Sequence, residues 1–140
     1  MPRVTHFDIY ATDPDATIAF YEGAFDWTIE KWDGPMDYWM VMTGDEDEPG
    51  IDGGISHREG PVPDADAPFV GFQCTMEVTD LDESLARVAE HGGTVVQEKG
   101  AIPGVGWFAA CADPDGNQFG LMEADESATS ESMAAGEPTA

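Results

Sequence analysis

Shifted by 67 positions, the chain superposes on itself. Thr12, Asp13, Asp15 and Ala19 fall on Thr79, Asp80, Asp82 and Ala86, while Ile18 meets Leu85 and Ile29 meets Val96. A period this long within 140 residues leaves room for two copies, so the chain is expected to use one supersecondary unit twice. Each copy reads as an alternating strand, a capped helix of about a dozen residues and three further short strands, a βαβββ unit.

In the first copy, Phe7, Ile9 and Ala11 alternate with His6, Asp8 and Tyr10, which predicts a strand with one apolar and one polar face. Asp13 suits the N-cap and Pro14 the first helical position, and Ile18, Tyr21 and Phe25 recur along one side of the helix that follows. Strands are expected at Trp27–Asp33, Asp37–Thr43 and Asp52–His57, broken by the Gly34-Pro35 turn and the acidic loop Gly44–Gly50.

In the second copy, Phe72, Cys74, Met76 and Val78 alternate with Gln73, Thr75 and Glu77. Asp80 with Glu83 reads as a capping box, Leu81, Leu85 and Val88 form the apolar stripe, and Gly92-Gly93 ends the helix. Strands at Thr94–Ile102, Gly106–Ala112 and Gln118–Glu123 follow, the last two joined by the turn Asp113-Pro114-Asp115-Gly116-Asn117. The expected organisation is a first unit over 1–58, a proline-rich linker over 59–68, a second unit over 69–125 and a disordered acidic tail over 126–140.

The chain carries 29 Asp and Glu against 5 Lys and Arg, a net charge of −24, yet 41% of it is hydrophobic. The apolar content supports a packed core, and the charge repels nucleic acid and anionic membranes. Carboxylates spread over turns and helix faces, with almost no lysine, read as a solvation device of the halophilic kind. Such a fold is expected to need salt, because molar salt shortens the range of charge repulsion to about 3 Å. With no apolar leader and no run of about 18 apolar residues, the chain is expected in the cytoplasm of a salt-accumulating cell. Cys74 and Cys111 lack metal-site spacing and are expected as buried free thiols.

The repeat sets His6 against Gln73, Asp8 against Thr75 and Tyr10 against Glu77, all on faces turned from the helices. If the units curl around a shared hollow, these six side chains point into it and a small molecule binds there. If the sheet lies flat, they form its wet side. Trp39 and Trp107 are candidate pocket walls, because they occupy corresponding third strands, with ordinary sheet core as the alternative. His57 reads as a solvated loop residue and His91 as a helix C-terminal cap. Glu77 on an inner face is a candidate general base, exposure being the commoner fate of such a residue.

The paired βαβββ units, their Thr-Asp-x-Asp helix starts, Gly92-Gly93 and the Asp113–Asn117 turn before Phe119-Gly120-Leu121-Met122 together resemble the vicinal oxygen chelate superfamily. That superfamily includes glyoxalase I, extradiol dioxygenases and bleomycin-resistance proteins. The resemblance runs from about Val4 to Asp125. It implies an α+β fold in which two tandem units form a curved mixed sheet around a cavity, and it implies a homodimer.

In metal-dependent members the ligands come from the leading and last strands of each unit. Carried onto this chain, those positions are His6, approximately Gly54, Gln73 and Gly120. A single good ligand falls short of the roughly three that a catalytic divalent site needs. The expectation is therefore a small-molecule-binding member without the usual chelated metal or any other cofactor. It would hold an apolar or aromatic ligand among His6, Asp8, Tyr10, Trp39, Gln73, Thr75, Glu77 and Trp107. The alternative is a metal-dependent lyase or dioxygenase with a site rearranged around His6.

Overall fold

The computed structural model describes residues 3–62, 64, 66–69 and 71–129. The first unit is β1 (His6–Ala11), α1 (Pro14–Phe25), β2 (Thr28–Lys31), β3 (Tyr38–Met42) and β4 (Asp52–His57). The second is β5 (Thr75–Glu77), α2 (Leu81–Glu90), β6 (Thr94–Ile102), β7 (Gly106–Ala112) and β8 (Gln118–Ala124). The strands form two mixed four-stranded sheets, ordered β1-β4-β3-β2 and β5-β8-β7-β6, so the topology repeats strand for strand. In each, the leading strand runs parallel to the last and the other neighbours are antiparallel.

Local chemistry sets the helix ends. The Asp13 carboxylate accepts the Ala16 N–H and the Asp80 carboxylate accepts the Glu83 N–H, each satisfying a first-turn donor with no intrahelical partner. Glu123 adds a second acceptor at α2, taking the Leu81 N–H at 2.8 Å. After α2, Gly92 turns the chain at φ 95°, a left-handed value that a side chain would resist.

The core belongs to both units. Phe20, Tyr21 and Ala24 of α1 pack with Leu81 and Val88 of α2 and with Ala109, Cys111, Phe119 and Leu121 of β7 and β8. The stripe read from the sequence therefore lacks Phe20, which is 1% exposed, and Thr17 and Ala24, while Ile18 lies on a smaller cluster with Ala11, Val41 and Ile55. Helix α1 meets two surfaces, its own sheet and the second unit, which widens its apolar face beyond one stripe.

Polar groups tie the same joint. Asp113, 3% exposed, accepts the Tyr21 phenol at 3.0 Å, the Asp115 and Asn117 N–H groups at 2.9 Å and the Asn117 amide at 3.0 Å. Arg58, just past β4, pairs with Asp115 at 2.9 Å and donates to Asn117 Oδ1 and to the Tyr10 carbonyl. Asn117 also donates to that carbonyl, at 2.8 Å. The Asp-Pro-Asp-Gly-Asn turn thus does more than join two strands: it fastens the second unit to β1, α1 and β4 of the first.

Three expectations need correcting. Strand β5 spans three residues, leaving Phe72, Gln73 and Cys74 outside it, with Phe72 95% exposed and Cys74 exposed. Only the Cys74 carbonyl continues the pairing, accepting the Gly120 N–H. Alternation favours a strand there, and the parallel register would set Gln73 and Cys74 beside Gln118 and Phe119 of β8, but the backbone leaves the ladder and all three side chains are exposed. The buried thiol is Cys111, which desolvation pushes up to about 11.

The tail expectation fails at its start. Ala128 is fully buried and its carbonyl accepts the Gly104 N–H, while Asp125 accepts the Ser127 hydroxyl at 2.6 Å and the Trp107 indole at 3.1 Å. These donors, Ser127 first, hold Asp125 below the usual carboxylate range. A small residue and a turn dock where the composition suggested disorder; residues 130–140 lie outside the described residues.

Candidate functional site

Strand registers settle which side chains share a face. His6, Asp8 and Tyr10 stand beside Asp52, Gly54 and Ser56, and Tyr38 and Met40 oppose Ser56 and Gly54. All lie on the helix-free side of the first sheet. On the second sheet the same side carries Thr75 and Glu77, beside Gly120 and Met122, which are opposed by Ala110 and Phe108.

Trp39 and Trp107 do not belong to it. Trp39 opposes the buried Ile55, Trp107 opposes Glu123, and both pack against the core clusters. Lys31 lies over the Trp39 ring at 5.7 Å and Lys99 over the Trp107 ring at 5.2 Å, the same cation–π pair in both units. Both tryptophans stand on the third strand of their unit, as expected, but the parity within those strands places the indoles on the helix side.

One polar cluster organises the open face. The Tyr38 phenol donates to Asp8 Oδ1 at 2.9 Å, and His6 Nε2 lies 2.8 Å from the phenol oxygen and 3.3 Å from Asp8 Oδ1. Because the phenol proton goes to Asp8, Nε2 facing both oxygens must itself carry a proton and donate. Partial burial, then the bond and charge of Asp8, push Tyr38 up to about 12, so the phenol stays protonated at neutral pH.

Glycines make room for this arrangement. A Cβ on Gly54 would collide with the Tyr38 hydroxyl. The second unit repeats the device: a Cβ on Gly120 would meet the Phe108 ring at 2.6 Å and Thr75 Oγ1 at 2.8 Å. Tyr38 and Phe108 hold equivalent places, and only the first carries a hydroxyl. Tyr38 is legible in the sequence as an aromatic, but its polar partnership is not; the nearest signal is the glycine pair Gly53-Gly54 in a strand.

The family's chelate does not fit these residues. His6 is engaged with Asp8 and Tyr38, Gln73 lies outside β5, and the spaces at Gly54 and Gly120 are filled by rings from neighbouring strands. Among the described residues no group of three His, Cys, Asp or Glu side chains could hold a metal ion. His57 is exposed with Nδ1 against the Arg58 carbonyl, and His91 is the C-cap of α2, its ring beside Gly23 of α1. Neither reaches the open face. Glu77 is exposed and, with Asp45, Glu46, Glu48 and Asp52, lines a groove of about 430 Å³. No described helix is long and apolar enough to cross a membrane.

The glyoxalase profile, described as the Glyoxalase/Bleomycin resistance protein/Dioxygenase superfamily, matches residues 3–121. A Mycobacterium tuberculosis protein named "Putative glyoxylase CFP32" is 28% identical over 118 residues, which are 83% of this chain and 42% of that protein. This chain therefore spans less than half the length of that curated relative. A glyoxylase/bleomycin resistance protein/dioxygenase domain from Frankia sp. EAN1pec superposes with a TM-score of 0.68 at 18% identity, covering 89% of this chain and 99% of its own. Maize glyoxalase I, in its V278E mutant form, gives 0.64 at 22% identity, covering 85% of this chain and 45% of its own. These structural likenesses establish the shared fold. With two βαβββ units in sequence and a profile match over most of its length, the chain belongs to the glyoxalase/bleomycin resistance protein/dioxygenase superfamily.

Proposed function

We propose that this chain is a small-molecule-binding member of the superfamily, holding a compact apolar or aromatic ligand against its helix-free face without the family's chelated metal. The observation that carries this reading is the Tyr38 hydroxyl, which fills the space over Gly54 and ties up His6 and Asp8. A sheet face with one polar cluster and exposed Tyr10 and Met40 around it offers an anchor and an apolar surface, the two elements of a binding pocket. Thr75 and Glu77 border the same face from the second sheet, and Gln73 lies just before them.

A second copy of the chain closes this face in the proposed assembly. Tyr10 is 51% exposed and strands β1 and β5 each pair on one side only, and a homodimer covers such edges and surfaces. The excess of carboxylates suits a salt-rich cytoplasm.

Native mass spectrometry and metal analysis of protein purified in molar salt test the reading together. The expected result is an organic ligand released on denaturation, with no metal in stoichiometric amount. Stoichiometric Fe, Mn, Ni or Zn that disappears in a His6→Ala variant would establish the metal-dependent alternative instead. Light scattering that finds only the 15.0 kDa species would remove the dimer.

A further inference from the structure

The donors and acceptors of the open face constrain the ligand. Tyr38 gives its only proton to Asp8 and receives one from His6. Two atoms of the cluster have no partner among the described residues, Asp8 Oδ2 and His6 Nδ1. With Nε2 protonated, a neutral imidazole presents Nδ1 as a lone pair, and a carboxylate oxygen only accepts. The cluster therefore offers a ligand two acceptors and no donor.

The surroundings have the same sign. Asp52 stands beside His6 in register and shares its acidic groove with Asp45, Glu46, Glu48 and Glu77. Of the chain's 5 basic residues, four are placed elsewhere or spent. Lys31 and Lys99 lie over tryptophans on the opposite side of the sheets. Arg58 is held in the joint by Asp115 and Asn117, and Arg87 donates to the Gly23 carbonyl and to Asp26. Arg3 precedes β1. No cation from the strands of either sheet offsets the carboxylates on this face, so an anionic ligand would be repelled there.

We propose that the ligand of this face is a cationic hydrogen-bond donor, an ammonium or amidinium on a small apolar or aromatic body. Its charged head sits between Asp8 and His6 and its body lies along Tyr10 and Met40, where the phenol ring adds a cation–π attraction. The proposal rests on this face being the binding site.

The test titrates the full chain in molar KCl at about pH 8. The probes are benzamidinium, benzyl alcohol and benzoate, which share a ring and differ in charge, and binding is followed by protein NMR. Benzamidinium is expected to bind tightest, and Asp8→Asn should weaken it about tenfold or more. Asp37→Asn, at an exposed ion pair with Lys31, should change it less than about twofold. Benzoate binding as tightly as benzamidinium, or Asp8→Asn acting no more strongly than Asp37→Asn, overturns the proposal. If benzyl alcohol or benzoate prevails and His6→Leu weakens it, the face remains the binding site and only the ligand's charge is wrong. If no probe binds, or none responds to His6→Leu or Asp8→Asn, the face itself fails and the proposal with it.

Discussion

Tyr21, on α1 of the first unit, donates its phenol to Asp113, in the β7–β8 turn of the second, across 3.0 Å of buried space. The sequence separation is 92 residues, yet both side chains are almost inaccessible to water. Burial raises both, Tyr21 well above its ordinary value and Asp113 less, because the donors around Asp113 oppose the desolvation. The Tyr21 ring also stacks on Trp27 at 4.9 Å, so one side chain serves the aromatic core and the polar joint together.

Removing either partner should loosen the joint unequally. Tyr21→Phe keeps the ring and leaves Asp113 with three other hydrogen bonds, so the loss should be about 1–3 kcal/mol. Asp113→Ala leaves the phenol and the Asp115 and Asn117 N–H groups without this acceptor and should cost about 3–5 kcal/mol. Denaturant unfolding in molar KCl measures both, and an Asp113→Ala loss no larger than that of Tyr21→Phe would contradict the hub.

Alkaline pH should act through Tyr38. Its value in the folded chain is raised from 10.0 to about 12. A raised group contributes stability fully below its unfolded value, and that contribution is lost as pH rises through the folded one. From about pH 10 to about pH 12, melting temperature should therefore fall more steeply for the native sequence than for Tyr38→Phe. Equal slopes would mean that the phenol is free of Asp8.

Methyl groups at the two equivalent glycines should differ in effect. Gly54→Ala displaces the Tyr38 hydroxyl from His6 and Asp8, so destabilisation of about 1–3 kcal/mol should come with a fall in the phenol's ionisation pH. Gly120→Ala meets a Phe108 ring with no hydroxyl, so it should cost stability without changing any tyrosine titration. Spectrophotometric titration beside thermal melts separates the two.

Ending the chain at Asp125 should destabilise it. The cut removes the buried Ala128, the carbonyl that accepts the Gly104 N–H and the Ser127 donors to Asp125, a loss of about 1–3 kcal/mol. An unchanged melting temperature would show that this turn adds nothing to the fold.

The repeat, the capped helices, most strand spans and the alternation of faces were legible in the sequence, because caps, turns and alternation depend on residues within a few positions of one another and the repeat shows them twice. Asp13 and Asp80 cap where they stand, and β4, β6 and β7 run over the expected residues. The polar set His6, Asp8 and Tyr10 followed from period two alone. Tertiary structure decided the rest. Whether Gln73 and Cys74 join a strand depended on whether their own backbone stays in the ladder beside β8. The side taken by Trp39 and Trp107 depended on strand register, and Ala128 is buried only because the β6–β7 turn lies beside it. The union of His6, Asp8 and Tyr38 joins β1 to β3 through the space left by a glycine on β4 between them, a contact between strands that no local periodicity encodes.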